Sequence, residues 1–489
     1  MERQVFGLLR SGGIKASTTA AVALLGLASS AVLARAVTPT ALGVFALVLA
    51  MVQIGTMLAD GGTGLAATRF IAAAKTENQR RKIILSSARA RFVATAATVC
   101  IAAALMPWLR NVLFHGQVSA AVYGWVLVWL ASKSLFLLLP AIYRGRINWL
   151  AEGAVLILEA GGILIAYATM IWRPGDPSIL PLRLAIVYLV LSLPLVRVLR
   201  RVQAPAAEET RHDEEDVTVR RLLGFGLPLV LNSSFFLLLT WTDRIMLGVM
   251  RAPDELAVYF VAANLSAAGR FLFGIPEQVL YSHLAATARR NDHDLPRVYD
   301  DIFRLFAVLG VLFVVLASAA GTIAIPLLYG ANYEASVWPF QLLLVVLLVR
   351  ILSIPASLFL VVVFEKTSET RDALGVAFLL NLLLNLWTIP RFGTSGAIMG
   401  SLTAFLAATF YLWWAVWRVA RVRARVSDFA VLALPTALWL AVTVGAHFAR
   451  LPEWLNWTVQ VGLAGYLVLV AWRQLSRLGL VRRPSGARP

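Results

Sequence analysis

The sequence predicts an all-α polytopic membrane protein with about fourteen transmembrane helices. Its 489 residues are 60% hydrophobic and only 14% charged, whereas soluble globular proteins carry about 25% charged residues. Runs of about twenty mostly apolar residues, the length that crosses the hydrocarbon core of a bilayer, recur along the whole chain. Basic residues collect in every second loop between these runs, as expected when alternate loops face the cytoplasm.

Fourteen apolar runs are predicted to span the membrane. They are residues 16–37, 41–60, 83–109, 120–143, 149–171, 179–199, 223–249, 255–285, 302–329, 336–364, 372–390, 394–417, 427–449 and 454–475. The second run meets Gly61-Gly62-Thr63-Gly64, where we expect the helix to bend and continue to Ala74, because glycine tolerates unusual backbone angles. The first run is interpreted as a span rather than a signal peptide, because it is long and many further spans follow it.

The distribution of basic residues predicts the orientation. With the amino terminus inside, 30 Lys and Arg residues fall in cytoplasmic loops and termini, and only six fall in outer loops. The bias holds loop by loop, so both termini are predicted to be cytoplasmic and the number of spans to be even. The same bias accounts for the net charge of +18 without a nucleic-acid partner.

The sequence has few residues that could bind a metal or a nucleotide or form a disulfide. The single cysteine, Cys100, lies in an apolar run, and the five histidines are scattered without the spacing of a metal site. The sequence has no GxxxxGK[ST] loop for nucleotide phosphates. We therefore expect no metal, no cofactor and no ATP-driven step.

An internal repeat divides most of the chain into two halves. Residues 39–45, PTALGVF, resemble residues 253–259, PDELAVY, at an offset of 214, and both segments open a span. A charged stretch, APAAEETRHDEED, separates six spans from the rest and is typical of a flexible cytoplasmic linker. The predicted domains are a six-helix lobe at 1–199, the linker at 200–222, a second six-helix lobe at 223–417, and two further helices with a basic tail at 418–489. Parallel repeats of this kind occur in transporters.

Four segments resemble Wzx-type polysaccharide flippases of the multidrug/oligosaccharidyl-lipid/polysaccharide (MOP) exporter superfamily. They are LARAVTPTALGVFALVLAMVQIGTMLADGGTGLAATRF at spans 1 and 2, FGLPLVLNSSFFLLLTWTDRIMLGVMRAPDELAVYFVAANL at spans 7 and 8, LLYGANYEASVWPFQLL after span 9, and FGTSGAIMGSLTAF at span 12. The resemblance implies a V-shaped, MATE-like arrangement of the two six-helix lobes, with a central cavity lined mainly by spans 1, 2, 7 and 8.

The resemblance also implies a function. The expected protein is a monomeric flippase of the bacterial inner membrane, not an enzyme. It would move an undecaprenyl-pyrophosphate-linked oligosaccharide, a repeat unit of O-antigen, capsule or exopolysaccharide, to the outer leaflet by alternating access. Its expected partners are this lipid-linked substrate, the bilayer, and the polymerase and glycosyltransferases of the same pathway.

Charged residues inside the apolar runs are the candidate site residues, because ionised groups are costly in hydrocarbon and tend to be functional there. Arginines suit a pyrophosphate through bidentate hydrogen bonds, whereas amides and aromatic rings suit a glycan. The substrate-binding candidates are Arg35, Arg244, Arg270, Asn264, Asn232, Tyr259 and Trp241. For Arg244 and Arg35, a side chain that extends to the membrane surface is an equally open interpretation.

A second set is predicted to act in gating or ion coupling. Its members are Asp60, Arg69, Asp243, Glu277, Lys133, Glu159 and Arg350. Asp60 and Arg69 flank the glycine bend, either as a gate or as a cap of a helix break. Lys133 and Glu159 fall near the middle of neighbouring spans, as a structural or a proton-titratable pair. Arg89 and Arg91, near the inner end of span 3, are expected to extend to the membrane surface.

The energy source and the rival functions stay open at this stage. An inside-negative potential favours outward movement of an anion by about 2.3 kcal/mol per charge per 100 mV, and coupling to H+ or Na+ is the other option. A lipid II flippase and a cation-coupled multidrug exporter of the same superfamily are the main alternatives. An uncoupled scramblase or channel also remains, whereas short outer loops disfavour a polymerase or ligase.

Overall fold

The computed structural model describes most of the chain. The described residues are 2–112, 114, 118–172, 177–203, 219–287, 295–420, 436–445, 458–459, 462–463 and 465–469. Within these ranges the regular structure is helical throughout, which confirms the predicted all-α class.

Fourteen helices follow one another in the described part of the chain. They are α1 (Glu2–Ala36), α2 (Pro39–Asp60), α3 (Thr63–Ala73), α4 (Glu77–Ala104), α5 (Met106–Val112), α6 (Ala120–Phe136), α7 (Leu138–Gly145), α8 (Trp149–Trp172), α9 (Leu180–Gln203), α10 (Val219–Met250), α11 (Pro253–Thr287), α12 (Leu295–Tyr329), α13 (Val337–Leu358) and α14 (Thr367–Ala420). A 3-10 turn at Ala331–Ser336 precedes α13, and a π-helical turn at Phe359–Val363 follows it. Beyond α14, the segment Thr436–Gly445 is also helical.

The helices match the predicted spans. Ten helical segments of the described residues are long and apolar enough to cross a membrane. These ten segments cover eleven of the first twelve predicted runs, because runs 372–390 and 394–417 both fall in α14. The remaining run, 223–249, falls in α10, which is not one of the ten. The last two runs, 427–449 and 454–475, lie mostly outside the described residues.

The longest helix, α14, consists of two helices joined by a sharp kink. Its 54 residues would extend about 80 Å at 1.5 Å per residue, far beyond the roughly 30 Å of a bilayer core. Gly393 interrupts it with φ 54° and ψ −130°. The Thr388 hydroxyl donates to the Gly396 carbonyl at 2.9 Å, and Asn381 donates to Ser401 at 3.3 Å. These contacts show two antiparallel arms, 367–392 and 394–420, as the sequence predicts for spans 11 and 12.

By its internal contacts the chain divides into two compact units, Met1–Phe260 and Val261–Pro489. In the first unit, α1 packs along α8, and α6 packs against α9. The helix α2 contacts α4, α6 and α10, while α3 contacts α4, α7 and α10. The domain limits drawn from the repeat stay a prediction, and most of the proposed linker lies outside the described residues.

The second unit is built around α13. This helix packs against both α12 and α14. Aromatic side chains fill the space between these helices: Tyr299 meets Phe359 edge-on at 5.0 Å between ring centroids, and Phe303 meets Trp413 at 5.9 Å. Such contacts favour close, specific helix packing.

Candidate functional site

Asp243 and Arg244, the adjacent charges near the end of α10, are both buried, at 2% and 6% exposure. The Tyr259 hydroxyl, from the second turn of α11, donates to Asp243 Oδ2 at 3.0 Å. Tyr259 is itself buried. The carboxylate therefore ties α10 to α11 inside the first unit.

The guanidinium of Arg244 lies against aromatic rings. Its Cζ is 4.2 Å from the ring centroid of Trp241 and 5.8 Å from that of Phe260. A cation over an aromatic face is attracted by the ring quadrupole, more strongly where water is excluded. The N–H groups of a stacked guanidinium point outward in its own plane, which is the geometry for bidentate binding of a phosphate or carboxylate.

Side-chain direction explains why the two neighbours differ in their contacts. Successive residues of an α-helix point about 100° apart. Asp243 accordingly meets Tyr259, while Arg244 meets Trp241 and Phe260. We call these five residues the arginine cluster; four of them are sequence candidates, and Phe260 was missed because an apolar aromatic residue gives no signal in an apolar run.

The first turns of α2 and α11 contact each other, and the α11 turn lies a few residues before Tyr259 in the sequence. The Thr40 hydroxyl donates to Asp254 Oδ1 at 2.7 Å. One turn further, a methyl group added to Gly43 would overlap the Pro253 carbonyl oxygen, so the two backbones approach closely there. Thr40 and Asp254 are 214 positions apart, which is the offset of the sequence repeat.

A third cluster surrounds the glycine break between α2 and α3. Gly61 and Gly62 take left-handed backbone angles, with φ 48° and 81°, so the expected bend is present. Asp60 Oδ1 accepts the Gly64 amide at 3.0 Å and forms an ion pair with Arg91 of α4. Arg91 also donates to the Ser134 carbonyl of α6 at 3.3 Å.

The position of Arg91 corrects the sequence interpretation. Arg91 is 1% exposed and buried, whereas we expected it to extend to the membrane surface; its neighbour Arg89 is exposed. The presence of arginines near the end of a span does not show on which face of the helix each arginine lies. Asp60 thus acts as a cap of the helix break and as the partner of Arg91, while Arg69 lies exposed on α3.

Lys133 and Glu159 come together around a residue that the sequence did not single out, Tyr188 of α9. The Tyr188 hydroxyl donates to Glu159 Oε1 at 2.7 Å, and Lys133 Nζ lies 5.7 Å from the centroid of the Tyr188 ring. Lys133 and Tyr188 are buried, and Glu159 is half-buried. We call these three residues the lysine cluster.

The other candidates lie outside these clusters. Arg35, in the last turn of α1, and Arg270, midway along α11, are exposed. Asn264 and Glu277 are half-buried on α11, and Glu277 interacts electrostatically with Arg270. Arg350 of α13 lies with its Cζ 4.8 Å from the Phe405 ring centroid. Asn232 belongs to α10, but its side chain is outside the described residues. A search of the described residues finds no group of three or more potential metal ligands.

Many membrane-crossing helices that carry buried charged clusters define a multi-pass membrane protein of the transporter class. The family model for polysaccharide biosynthesis proteins matches residues 8–286, more than half of the chain. The chain therefore belongs to the polysaccharide biosynthesis protein family. A search of curated protein sequences found no match.

Solved structures of other proteins share the fold. The lipid II flippase MurJ in an inward closed conformation aligns with a TM-score of 0.71 and 14% identity, over 93% of this chain and 97% of that one. An inward-facing multidrug resistance transporter of the MATE family, in the MOP superfamily, aligns with a TM-score of 0.62 and 15% identity, over 82% and 95%. Family and fold together confirm the predicted membership of the MOP superfamily of flippases and transporters.

Proposed function

We propose that this protein is a flippase for an undecaprenyl-pyrophosphate-linked oligosaccharide. It would carry the lipid-linked sugar from the cytoplasmic to the outer leaflet of a bacterial inner membrane, with both termini in the cytoplasm. Membership of the polysaccharide biosynthesis family supports this class of substrate. The observation that carries the proposal is the buried guanidinium of Arg244, stacked on Trp241 beside the Asp243–Tyr259 hydrogen bond.

The arginine cluster suits the pyrophosphate. Arg244 would bind it through charge-assisted, bidentate hydrogen bonds, which are stronger and more directional than those of a neutral donor. Tyr259 is buried against Asp243; we therefore assign it to orienting the cluster instead of contacting the glycan. Exposed Arg35 and Arg270 would add further phosphate contacts.

The remaining parts of the substrate need different surroundings. The glycan would contact polar and aromatic side chains, and Trp241, Asn264 and Asn232 are the candidates on α10 and α11. The polyprenyl tail is as apolar as the lipid around it, so it needs no protein pocket and would stay in the bilayer during transport.

Transport by alternating access requires contacts that close the outer side of the substrate path and that can open. The contact between Thr40 and Asp254, on the predicted outer side of α2 and α11, is such a closure. The membrane potential would favour export of the anionic headgroup by about 2.3 kcal/mol per charge per 100 mV, without ATP.

A lipid II flippase is the second candidate, since the lipid II flippase MurJ shares the fold. The two functions use the same anion chemistry and differ in the glycan. A multidrug exporter for cations fits less well, because the stacked group of the arginine cluster is itself a cation.

The test is complementation of a strain that lacks its own polysaccharide flippase. Wild type, Arg244→Ala and Arg270→Ala are compared at matched membrane levels, with Arg391→Ala as control. Arg391 also stacks on a tryptophan, Trp387, but at an exposed position of α14. We expect wild type and the control to restore surface polysaccharide and Arg244→Ala to abolish it. Restoration by Arg244→Ala at the wild-type level would exclude the arginine cluster as the anion site, and rescue only of a lipid II flippase deletion would favour the second candidate.

A further inference from the structure

A group of charged and aromatic side chains lies near the predicted inner end of span 1, beside the turn from α7 into α8. Arg144 Nε of α7 donates to Glu152 Oε1 of α8 at 2.7 Å. Lys15 Nζ of α1 lies 3.7 Å from the centroid of the Trp149 ring, and Lys15 interacts electrostatically with Glu152 and Arg144. We call these four residues the interfacial cluster. The cluster shares no residue with the arginine cluster or the lysine cluster.

The interfacial cluster carries one positive charge in excess. Glu152 is buried, and its carboxylate balances one of the two cations, Lys15 and Arg144. Arg144 keeps 41% of its side chain exposed. A guanidinium has five N–H donors and an ammonium has three, so a single carboxylate does not satisfy both groups. The cluster can therefore bind one further anion of single charge.

The turn between α7 and α8 displays an apolar side chain in a strained backbone conformation. Ile147 has φ 57° and is 63% exposed. The Asn148 amide donates to the Tyr143 carbonyl at 2.9 Å, and the Ile147 amide donates to the Arg144 carbonyl at 3.0 Å. In this pattern of helix ending, the left-handed position is usually a glycine, and a β-branched residue there is an outlier. The turn itself therefore does not explain the exposed isoleucine.

The predicted topology places this turn at the cytoplasmic surface of the bilayer. Residues 144–148 connect predicted spans 4 and 5 on the inner side. Leu150 and Leu158, on the following helix, are both exposed. In contrast, α1 and α8 approach closely beside the cluster, because a methyl group added to Gly153 would overlap the Thr18 hydroxyl oxygen. Acyl chains can therefore lie along the exposed leucines but not between the two helices.

We propose that the interfacial cluster binds the headgroup of an anionic phospholipid of the inner leaflet. The phosphodiester of phosphatidylglycerol carries one negative charge, which matches the excess charge of the cluster. Lys15 and Arg144 would bind the phosphate through charge-assisted hydrogen bonds, and Trp149 holds the ammonium of Lys15 in place. Ile147 would insert at the boundary between headgroups and acyl chains. Basic sites between membrane helices on the cytoplasmic side bind anionic headgroups in this way, whatever substrate the protein moves.

A neighbouring arginine supplies a matched control. Arg146, at the end of α7, donates to Glu77 of α4 at 2.7 Å, and Glu77 also pairs with Arg80. The Arg146 guanidinium is therefore engaged on α4 and not on the interfacial cluster. Arg146→Gln removes one positive charge from the same predicted surface, as Lys15→Gln does, but leaves the cluster intact.

The first test counts bound lipids by native mass spectrometry. The purified full-length protein, freed of lipid in detergent, is titrated with phosphatidylglycerol and, separately, with zwitterionic phosphatidylethanolamine. We expect wild type, Lys15→Arg and Arg146→Gln to prefer phosphatidylglycerol, and Lys15→Gln to bind it several-fold less. Equal loss in Lys15→Gln and Arg146→Gln, or no preference in wild type, would overturn the proposal. If Lys15→Gln does not fold, Trp149→Leu replaces it, and undiminished binding by that variant would have the same consequence.

A second test separates lipid binding from stability. Ile147→Gly removes the strain of the turn, so we expect a higher unfolding temperature without lipid but weaker binding of phosphatidylglycerol. A ligand of the native state raises the unfolding temperature, so added phosphatidylglycerol should stabilise wild type more than Ile147→Gly. An equal lipid-induced shift in both proteins would overturn the insertion of Ile147.

Two competitors identify the source of the anion. Inorganic phosphate and undecaprenyl pyrophosphate are each added to the complex with phosphatidylglycerol. We expect neither competitor to displace the phospholipid at equal concentration. Displacement by phosphate would show a site for soluble anions, and displacement by undecaprenyl pyrophosphate would show an entry site for the lipid-linked substrate. Either result would overturn the assignment to a phospholipid.

Discussion

The hydrogen bond from Thr40 to Asp254 joins two residues that occupy the same position in two halves of an internal repeat. The contact joins the first turns of α2 and α11 inside the first unit, on the side that the charge bias predicts to be outside.

Cross-linking this pair is expected to stop transport reversibly. Cysteines at Thr40 and Asp254, in a background where Cys100 is replaced by serine, would form a disulfide or bind a short thiol cross-linker, because the native side chains already touch at 2.7 Å. Loss of maleimide labelling measures the cross-link, and complementation with and without reductant measures export. Each single cysteine serves as control, and normal export by the cross-linked protein would show that the contact does not need to open.

Replacement of Gly43 by alanine is expected to weaken the same closure. The new methyl group would overlap the Pro253 carbonyl oxygen, which belongs to the backbone and cannot rotate away. Gly124→Ala in α6 is the matched control, since nothing lies within 4 Å of its added methyl group, and loss of unfolded-state freedom would stabilise it by about 0.4–1 kcal/mol. Thermal unfolding in detergent and cross-linking yield at the outer pair are the measurements. Equal unfolding temperatures of the two variants would contradict the close approach.

Removal of Arg91 is expected to destabilise the first unit strongly. Breaking a buried ion pair costs about 3–5 kcal/mol; because Asp60 is 27% exposed, the lower end of that range applies. Arg91→Ala is compared with Arg89→Ala, an exposed arginine two residues away on the same helix, by thermal unfolding. Arg91→Lys should rescue only in part, because a lysine lacks the planar fork that reaches Asp60 and the Ser134 carbonyl together. An Arg91→Ala protein as stable as Arg89→Ala would restore the original expectation of a surface arginine.

Two conservative changes should separate charge from geometry in the arginine cluster. Arg244→Lys keeps the charge but loses the stacked, bidentate group, so we expect export to fall well below wild type.

Tyr259→Phe leaves the buried Asp243 carboxylate without its phenol donor, which lowers the free energy of unfolding by about 1–3 kcal/mol. Surface polysaccharide at matched expression measures both variants, and Trp387→Ala, which removes the exposed stack on Arg391, is the control. Full export by Arg244→Lys would show that the positive charge of Arg244 is sufficient and that its bidentate geometry is not needed.

The sequence predicted helices better than contacts. Hydrophobic run length located eleven of the first twelve predicted spans among helices able to cross a membrane, and the glycines at 61–64 located the break between α2 and α3, because these are properties of the local chain. The sequence did not predict the observed partners of Asp60 and Glu159. Arg91 and Tyr188 meet them from other helices, 31 and 29 positions along the chain. Which faces of neighbouring helices meet depends on tertiary packing, which a hydropathy pattern does not encode.

The kink at Gly393 bears on how the chain enters the membrane during synthesis. Asn381 and Asn385 are fully buried on the first arm of α14, and Asn381 donates to Ser401 on the second. A first arm that entered lipid alone would expose both amides to hydrocarbon, where an unsatisfied polar group costs several kcal/mol. The two arms are therefore expected to leave the insertion machinery together, as a hairpin in which Asn381 already bonds Ser401 of the second arm and Asn385 bonds Asn381.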